Sequence, residues 1–280
     1  MKIIRTIQSL RCARQELRHE GARVGFVPTM GYLHAGHVSL IRLARHRASH
    51  VVVSLFVNPT QFGPGEDFGQ YPRDEQHDME LCEKAGVDVV FVPSASVMYA
   101  SDASVFIVEK ALSGGLCGKT RPGHFEGVCT VVAKLFQIVQ PDLAVFGQKD
   151  AQQVAVIKRM VRDLFFPLEI VVGPIVRESD GLAMSSRNVY LDAQQREQAL
   201  GLFATLTGIQ AQWQAGSRNA TALEHWGRQH LAGGYPGVMP EYLVFCDPQT
   251  LVPCEVVSPG SLVAIAARVG QTRLIDNIIL

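Results

Sequence analysis

The segment Pro28-Thr29-Met30-Gly31-Tyr32-Leu33-His34-Ala35-Gly36-His37 sets two histidines three residues apart with a glycine between them, directly after the apolar run Val24-Gly25-Phe26-Val27. Where a strand hands over to a helix, the helix N-terminus offers free N–H groups and a partial positive charge, and phosphate is the natural guest. Two imidazoles at this spacing can both face such a guest, while Gly31 and Gly36 let the backbone approach it closely. Zinc is a weaker reading of the pair, because no third and fourth ligand accompany it at a suitable local spacing. Phe146-Gly147-Gln148-Lys149-Asp150-Ala151-Gln152-Gln153 has the same form: a strand end, a glycine and a helix start. Lys149 can reach a phosphate there, and Asp150 can accept from a ribose hydroxyl or orient the lysine. A lysine at a helix start meets the positive end of the dipole, and a bound anion accounts for it.

The elements that must hold these groups follow from hydrophobic periodicity. Residues 24–28 read as a strand stopped by proline and residues 38–47 as a helix, which together make a βα unit. The apolar run 51–57 predicts a strand buried on both faces and ended by Asn58-Pro59. Helices are predicted over 74–85, 128–139 and 152–164, and strands over 87–92, 143–146 and 168–172. This alternation predicts an α/β fold built on a Rossmann-like, doubly wound parallel sheet, with ligands outside the carboxyl ends of its strands. After about residue 176 the character changes. Helices over 193–214 and 220–231 with strands over 241–246, 262–267 and 273–278 predict a second, smaller α/β domain, so the expected division is 1–176 and 177–280.

Lys plus Arg and Asp plus Glu each total 26, and this balance argues against a general nucleic-acid binder, which needs a basic excess to release counterions. It leaves a small anionic ligand open. The balance hides an asymmetry: the first fifty residues are basic, with Glu16 and Glu20 as their acids, whereas Arg73 and Lys84 are the basic residues of the acidic stretch 51–100. A hydrophobic content of 47% excludes disorder as a description of the whole chain. Met1-Lys2-Ile3-Ile4-Arg5 lacks the apolar core of a signal peptide, and no apolar run approaches the roughly 20 residues that span a bilayer. A soluble cytoplasmic protein without a membrane partner is expected. The six cysteines form no C-x-x-C pair and are expected to be reduced, buried thiols.

The histidine decapeptide resembles the H-x-G-H signature of the nucleotidyltransferase superfamily that includes class I aminoacyl-tRNA synthetases. That resemblance implies chemistry at an α-phosphate and a downstream loop like K-M-S-K-S, a role that Ala183-Met184-Ser185-Ser186-Arg187-Asn188 fits. Two hydroxyls and a guanidinium suit a departing pyrophosphate. Over nearly the whole chain the sequence further resembles the pantoate–β-alanine ligase (pantothenate synthetase) family. The stretches that carry this are Phe56-Val57-Asn58-Pro59-Thr60-Gln61-Phe62, Tyr71-Pro72-Arg73, Thr120-Arg121-Pro122-Gly123-His124-Phe125-Glu126-Gly127-Val128, Lys134-Leu135-Phe136, the segment 180–188, and Thr272-Arg273-Leu274-Ile275-Asp276-Asn277.

The family resemblance implies an ATP-dependent ligase that condenses pantoate with β-alanine through pantoyl adenylate and releases AMP and pyrophosphate. It implies an ATP site made of Met30, Gly31, Tyr32, Leu33, His34, Ala35, Gly36 and His37, with Gly147, Gln148, Lys149, Asp150, Val176, Met184, Ser185, Ser186 and Arg187. His37 is implied as proton donor, with His34 and Lys149 beside it as catalytic groups. Gln61 is implied for pantoate and β-alanine and Gln153 for pantoate; magnesium is implied with ATP, its protein ligands unassigned. A cytoplasmic homodimer built through the larger domain is also implied, with residues 177–280 moving over the nucleotide as a lid. The sequence departs from the family at Gln148, usually glutamate, and at Thr60, usually methionine. The first departure removes a carboxylate expected beside the phosphates, and the second alters the wall near Gln61. A nucleotidyltransferase that stops after transferring AMP or CMP shares the first motif and the loop, and a nucleotide-binding regulator shares the fold.

Overall fold

Residues 1–19 and 21–280 are described by the computed structural model; Glu20 lies outside them. The first part of the chain runs through β1 (Lys2–Ile4), α1 (Ile7–His19), β2 (Val24–Thr29), α2 (Ala35–Arg47), β3 (His50–Leu55), α3 (Glu75–Lys84), β4 (Val89–Phe91), α4 (Ala95–Met98), α5 (Leu116–Thr120), α6 (His124–Val139), β5 (Leu143–Gly147), α7 (Ala151–Asp163) and β6 (Glu169–Gly173). Its strands form one sheet in the order β1-β4-β3-β2-β5-β6, with every pairing parallel. From β2 the chain winds outward through β3 and β4, then returns to β5 and winds the other way to β6. The order therefore reverses between β2 and β5, and their carboxyl ends border the crevice where doubly wound sheets bind ligands.

The unbroken apolar run of β3 reflects burial on both faces. Val52 packs with Phe26, Phe91 and α6 on one side, whereas Val51, Val53 and Leu55 pack with Ile41, Ala44 and Cys82 on the other. On the first side α6 presses close to a short 3-10 turn at Pro59–Gln61. A Cβ at Gly127 would lie 2.4 Å from the Thr60 carbonyl oxygen, so only glycine permits this approach.

The remaining elements are α8 (Ala193–Gln214), α9 (Ala220–Gly234), β7 (Val238–Cys246), β8 (Leu262–Val269) and β9 (Thr272–Ile279). The three strands form a separate antiparallel sheet ordered β7-β8-β9. A second core, with Leu202, Leu206, Ile209, Leu223, Leu243 and Ile265 at its centre, joins this sheet to its two helices. All six cysteines are free. Cys82, Cys117, Cys129 and Cys246 are buried as expected, but Cys12 is exposed on α1 and Cys254 is half-buried. Among the described residues no helix is long and apolar enough to cross a membrane.

Candidate active site

After β2 the chain turns through Gly31 and Tyr32, both with left-handed backbone, at φ 83° and 51°. Tyrosine in that region is strained and needs surrounding structure to hold it there. Asp78 on α3, only 3% exposed, supplies the hold: its carboxylate accepts from the N–H of Tyr32 at 2.8 Å and of Leu33 at 2.6 Å. Burial raises the Asp78 carboxyl above its ordinary pKa, against the lowering effect of those two N–H groups. The turn delivers His34 to the N-cap of α2. There His34 Nδ1 accepts from Gly36 N–H at 3.1 Å, and His37 Nδ1 accepts from His34 N–H at 3.3 Å, a reciprocal box made of two imidazoles.

Burial and the nearby Lys149 ammonium push His34 down to about 4. Burial, His34 and Lys149 lower His37 well below the usual histidine range. Both rings are therefore neutral at pH 7. Since each Nδ1 accepts, the hydrogen-bond pattern assigns the proton of each ring to Nε2. The turn thus presents two neutral N–H donors whose ring centroids lie 4.1 Å apart.

These rings border an open cleft of about 1250 Å³. It is lined by Met30, His34, Gly36 and His37 after β2, by Gly147, Lys149, Asp150 and Gln153 after β5, and by Val176 and Met184 to Arg187; Asn58 and Gln61 also line it. The structure thus gathers most of the residues expected from sequence around one space. Gly31, Tyr32, Leu33 and Ala35 shape the turn without lining the cleft: Leu33 is buried in the core and Ala35 is exposed.

Gln148 departs from the expectation that it faces phosphate. Its Nε2 donates to Asn277 Oδ1 on β9 at 3.0 Å, while Asn277 Nδ2 donates to the carbonyls of Gln148 and Lys149, each at 3.0 Å. The second sheet thereby grips the Gln148–Asp150 turn that carries Lys149. Next to Asn277, Asp276 accepts two hydrogen bonds from Arg177, at 2.6 and 3.0 Å. Lys149 itself has no ion-pair partner within 4 Å among the described residues.

The Met-Ser-Ser-Arg segment is also committed to partners within the chain. Met184 N–H donates to the Val176 carbonyl at 3.0 Å, and the buried Ser186 donates to the Tyr32 carbonyl at 3.2 Å. Ser185 Oγ accepts from Arg187 N–H at 3.3 Å, which leaves its own O–H available. Arg187 forms a two-bond ion pair with Asp67.

At Gln61 the side chain is buried, its Oε1 accepting from Asn58 Nδ2 at 3.3 Å and its Nε2 lying 2.8 Å from Met30 Sδ. Asn58 Oδ1 in turn accepts from Thr60 Oγ1 and Tyr99 Oη, at 3.0 and 2.9 Å, so the Thr60 hydroxyl belongs to this network and does not line the cleft. The Gln61 carbonyl is 2.8 Å from His124 Nδ1, and Arg121 Nη1 is 3.0 Å from His124 Nε2. An arginine can only donate, so Nε2 accepts and Nδ1–H donates to Gln61. Burial and the Arg121 charge lower His124 to about 4, in keeping with that neutral tautomer. Arg121 is itself locked to Glu66 by bonds of 2.8 and 2.6 Å.

Sequence reasoning missed Asp67, Asp78 and the supporting roles of Asn58, Arg121, His124 and Asn277. The last four lie in the N-P-T-Q-F, T-R-P-G-H and L-I-D-N stretches, so their signal was present without a stated role. Asp67 and Asp78 look like ordinary acids of a polar loop and a polar-faced helix.

Fold and site together define a doubly wound α/β protein of the H-x-G-H class, with a turn bearing two neutral imidazoles at the switch point of its sheet. The chain belongs to the pantoate–β-alanine ligase family, whose sequence model matches residues 2–279, and is an enzyme of that family. It is 52% identical over 280 residues to the pantothenate synthetase of Thermotoga petrophila, with all of both chains covered. The crystal structure of pantothenate synthetase from Thermus thermophilus is similar at a TM-score of 0.94 and 44% identity, covering 100% of this chain and 99% of that one. A pantoate–β-alanine ligase from Francisella tularensis, crystallised in complex with β-γ ATP and β-alanine, is similar at a TM-score of 0.82 and 34% identity, covering 100% and 97%.

Proposed function

We propose that the cleft binds ATP beside pantoate and joins pantoate to β-alanine in two steps. In the first, a pantoate carboxylate oxygen attacks the α-phosphorus, the bond to the bridging oxygen breaks, and pyrophosphate leaves pantoyl adenylate behind. In the second, the β-alanine nitrogen attacks the acyl carbon, the acyl–oxygen bond breaks with release of AMP, and the nitrogen loses a proton as the amide forms. A free carboxylate is a poor acyl donor because oxide would have to leave, whereas the mixed anhydride releases AMP. The protein's work is alignment, charge stabilisation and exclusion of water.

One observation carries this reading: His34, His37, the Ser185–Arg187 segment and Lys149, which has no ion-pair partner among the described residues, line the same cleft as the neutral amides of Gln61 and Gln153. The former bind the triphosphate, with His37 and His34 stabilising charge that develops at the α-phosphate and Lys149 following it onto pyrophosphate. The amides bind hydroxyl and carboxylate groups of pantoate, and Gln61 also β-alanine, without adding charge that competes for the phosphates. The Francisella complex supports ATP and β-alanine as ligands here.

Magnesium fits as a counter-ion carried by ATP, where it neutralises phosphate charge. Among the described residues no group of three His, Cys, Asp or Glu could hold a metal, and Asp150 is the one carboxylate in the cleft lining. That donor set suits an ion that keeps most of its waters and takes its remaining ligands from phosphates and one or two carboxylates. Residues 1–176 serve as the nucleotide and pantoate domain and 177–280 as a lid in a cytoplasmic homodimer. The decisive test is formation of AMP from ATP that requires both pantoate and β-alanine. A nucleotidyltransferase that stops after the first transfer would release no AMP on addition of β-alanine.

A further inference from the structure

Arg187 lines the cleft, yet one edge of its guanidinium is already taken. Asp67 Oδ2 accepts from Nε and Oδ1 from Nη2, both at 2.8 Å, in a side-on pair. The guanidinium has five N–H donors in a fixed plane. This pairing uses one on Nε and one on Nη2, and the two on Nη1 have no acceptor among the described residues. Tyr71 flanks the group, its ring centroid 5.6 Å from the guanidinium carbon. The pair is not a loose surface contact, since its side chains are 25% and 21% exposed.

The loop that carries Asp67 is held on both sides of that residue. Its preceding residue, Glu66, is locked to Arg121, which also donates to the Gln61 carbonyl at 3.3 Å. On the other side, Tyr190 Oη donates to the Gln70 carbonyl at 3.0 Å. Two consecutive carboxylates therefore fix two arginines, one behind Gln61 and one beside Ser185.

We propose that Asp67 is a positioning residue for ATP: by holding the Nε/Nη2 edge of Arg187, it aims the free Nη1 edge at the phosphates. The inference rests on the reading of the cleft as an ATP site. A fixed fork presents its donors without reorganisation when the anion arrives, whereas an unpaired arginine must first be ordered. The opposite role, a carboxylate that competes with phosphate for Arg187, predicts the opposite sign when Asp67 is neutralised.

Calorimetric titration with ATP and with AMP, in the presence of magnesium and without pantoate, tests this. Asp67→Asn keeps the shape but loses the charge and one acceptor; it should weaken ATP about tenfold and leave AMP unchanged. In an Arg187→Ala background the same change should do nothing further. Arg187→Lys leaves Asp67 intact but offers no second edge, and should lose the same preference for ATP over AMP. The inference is overturned if Asp67→Asn leaves ATP binding unchanged or tightens it, if it weakens ATP equally without Arg187, or if Arg187→Lys keeps the full preference. No preference for ATP in the unaltered protein would refute the ATP reading itself, and this inference with it.

Discussion

The two nitrogens of His37 have separable tasks, and substitution can divide them. Nδ1 accepts from the His34 N–H at the start of α2, so its loss removes a cap contact, at a cost of about 1 kcal/mol. Nε2 carries the donor assigned to the α-phosphate, and losing one such donor costs about 10²- to 10³-fold in rate. Asparagine places an acceptor near the Nδ1 position but reaches no further. Glutamine places its amide nitrogen near Nε2 and leaves the cap position empty. Alanine removes both.

His37→Asn should therefore melt within about 2 °C of the parent yet release pyrophosphate about 10²- to 10³-fold more slowly in single turnovers with ATP and pantoate. His37→Gln should recover part of that rate while melting about 2–4 °C lower, the shift for roughly 1 kcal/mol in a chain of this size. His37→Ala should show both losses. Rapid-quench measurement of pyrophosphate, set against melting curves of the same preparations, decides the matter. If His37→Asn keeps the parent rate within about threefold, or if His37→Gln is slower than His37→Asn, the division of labour between the nitrogens is wrong.

Asp78→Ala strands the buried N–H of Leu33, at about 1–3 kcal/mol, and the half-buried N–H of Tyr32, at less; urea denaturation should show a loss of about 2–4 kcal/mol, and a loss under 1 kcal/mol would count against its role. Asn277→Asp replaces two donors to the Gln148 and Lys149 carbonyls with a carboxylate. ATP affinity by calorimetry should fall about tenfold, and unchanged affinity would mean that β9 does not position Lys149. His34 and His124 are both lowered to about 4 when folded, against an ordinary value near 6.5. The unfolded chain binds protons that the folded rings refuse, so stability should be full above about pH 6.5 and decline as pH falls toward 4. Urea midpoints that stay level from pH 7 to pH 5 would contradict this.

The sheet was readable because its central strands are buried on both faces and appear as unbroken apolar runs between proline and glycine stops. β1 has three residues at a sheet edge and so carries no periodicity, and α1 lies outside the elements predicted from the sequence. The site's donors were readable where chemistry and backbone signal coincide, as at His34, His37 and Lys149. Its supports were not. Asp78 reaches the turn across 46 positions of chain, and Asn277 reaches Lys149 across 128, so no local spacing records either contact. Gln148, implied for the ATP site by the family resemblance, has its amide turned to β9 by the 3-10 turn at Gln148–Asp150, an orientation that no local pattern records.

The charge balance of the chain recurs at the scale of the cleft. His34 and His37 are held neutral, Arg187 is paired with Asp67, and Lys149 is the cation in the lining with no ion-pair partner among the described residues. The basic first fifty residues serve other ends: Arg5 pairs with Glu75 and Arg45 with Asp88, while Arg23 and Arg47 share Glu169. A triphosphate would thus meet oriented dipoles, one pre-aimed guanidinium and one lysine, not a field of loose positive charge. Such an arrangement favours anions whose oxygens match the donors in position, because a mismatched anion gains little from neutral groups that it cannot reach. Neutralising the carboxylate that pairs with Arg187 raises the local positive charge, yet it should weaken ATP binding, since what the cleft supplies is direction more than charge.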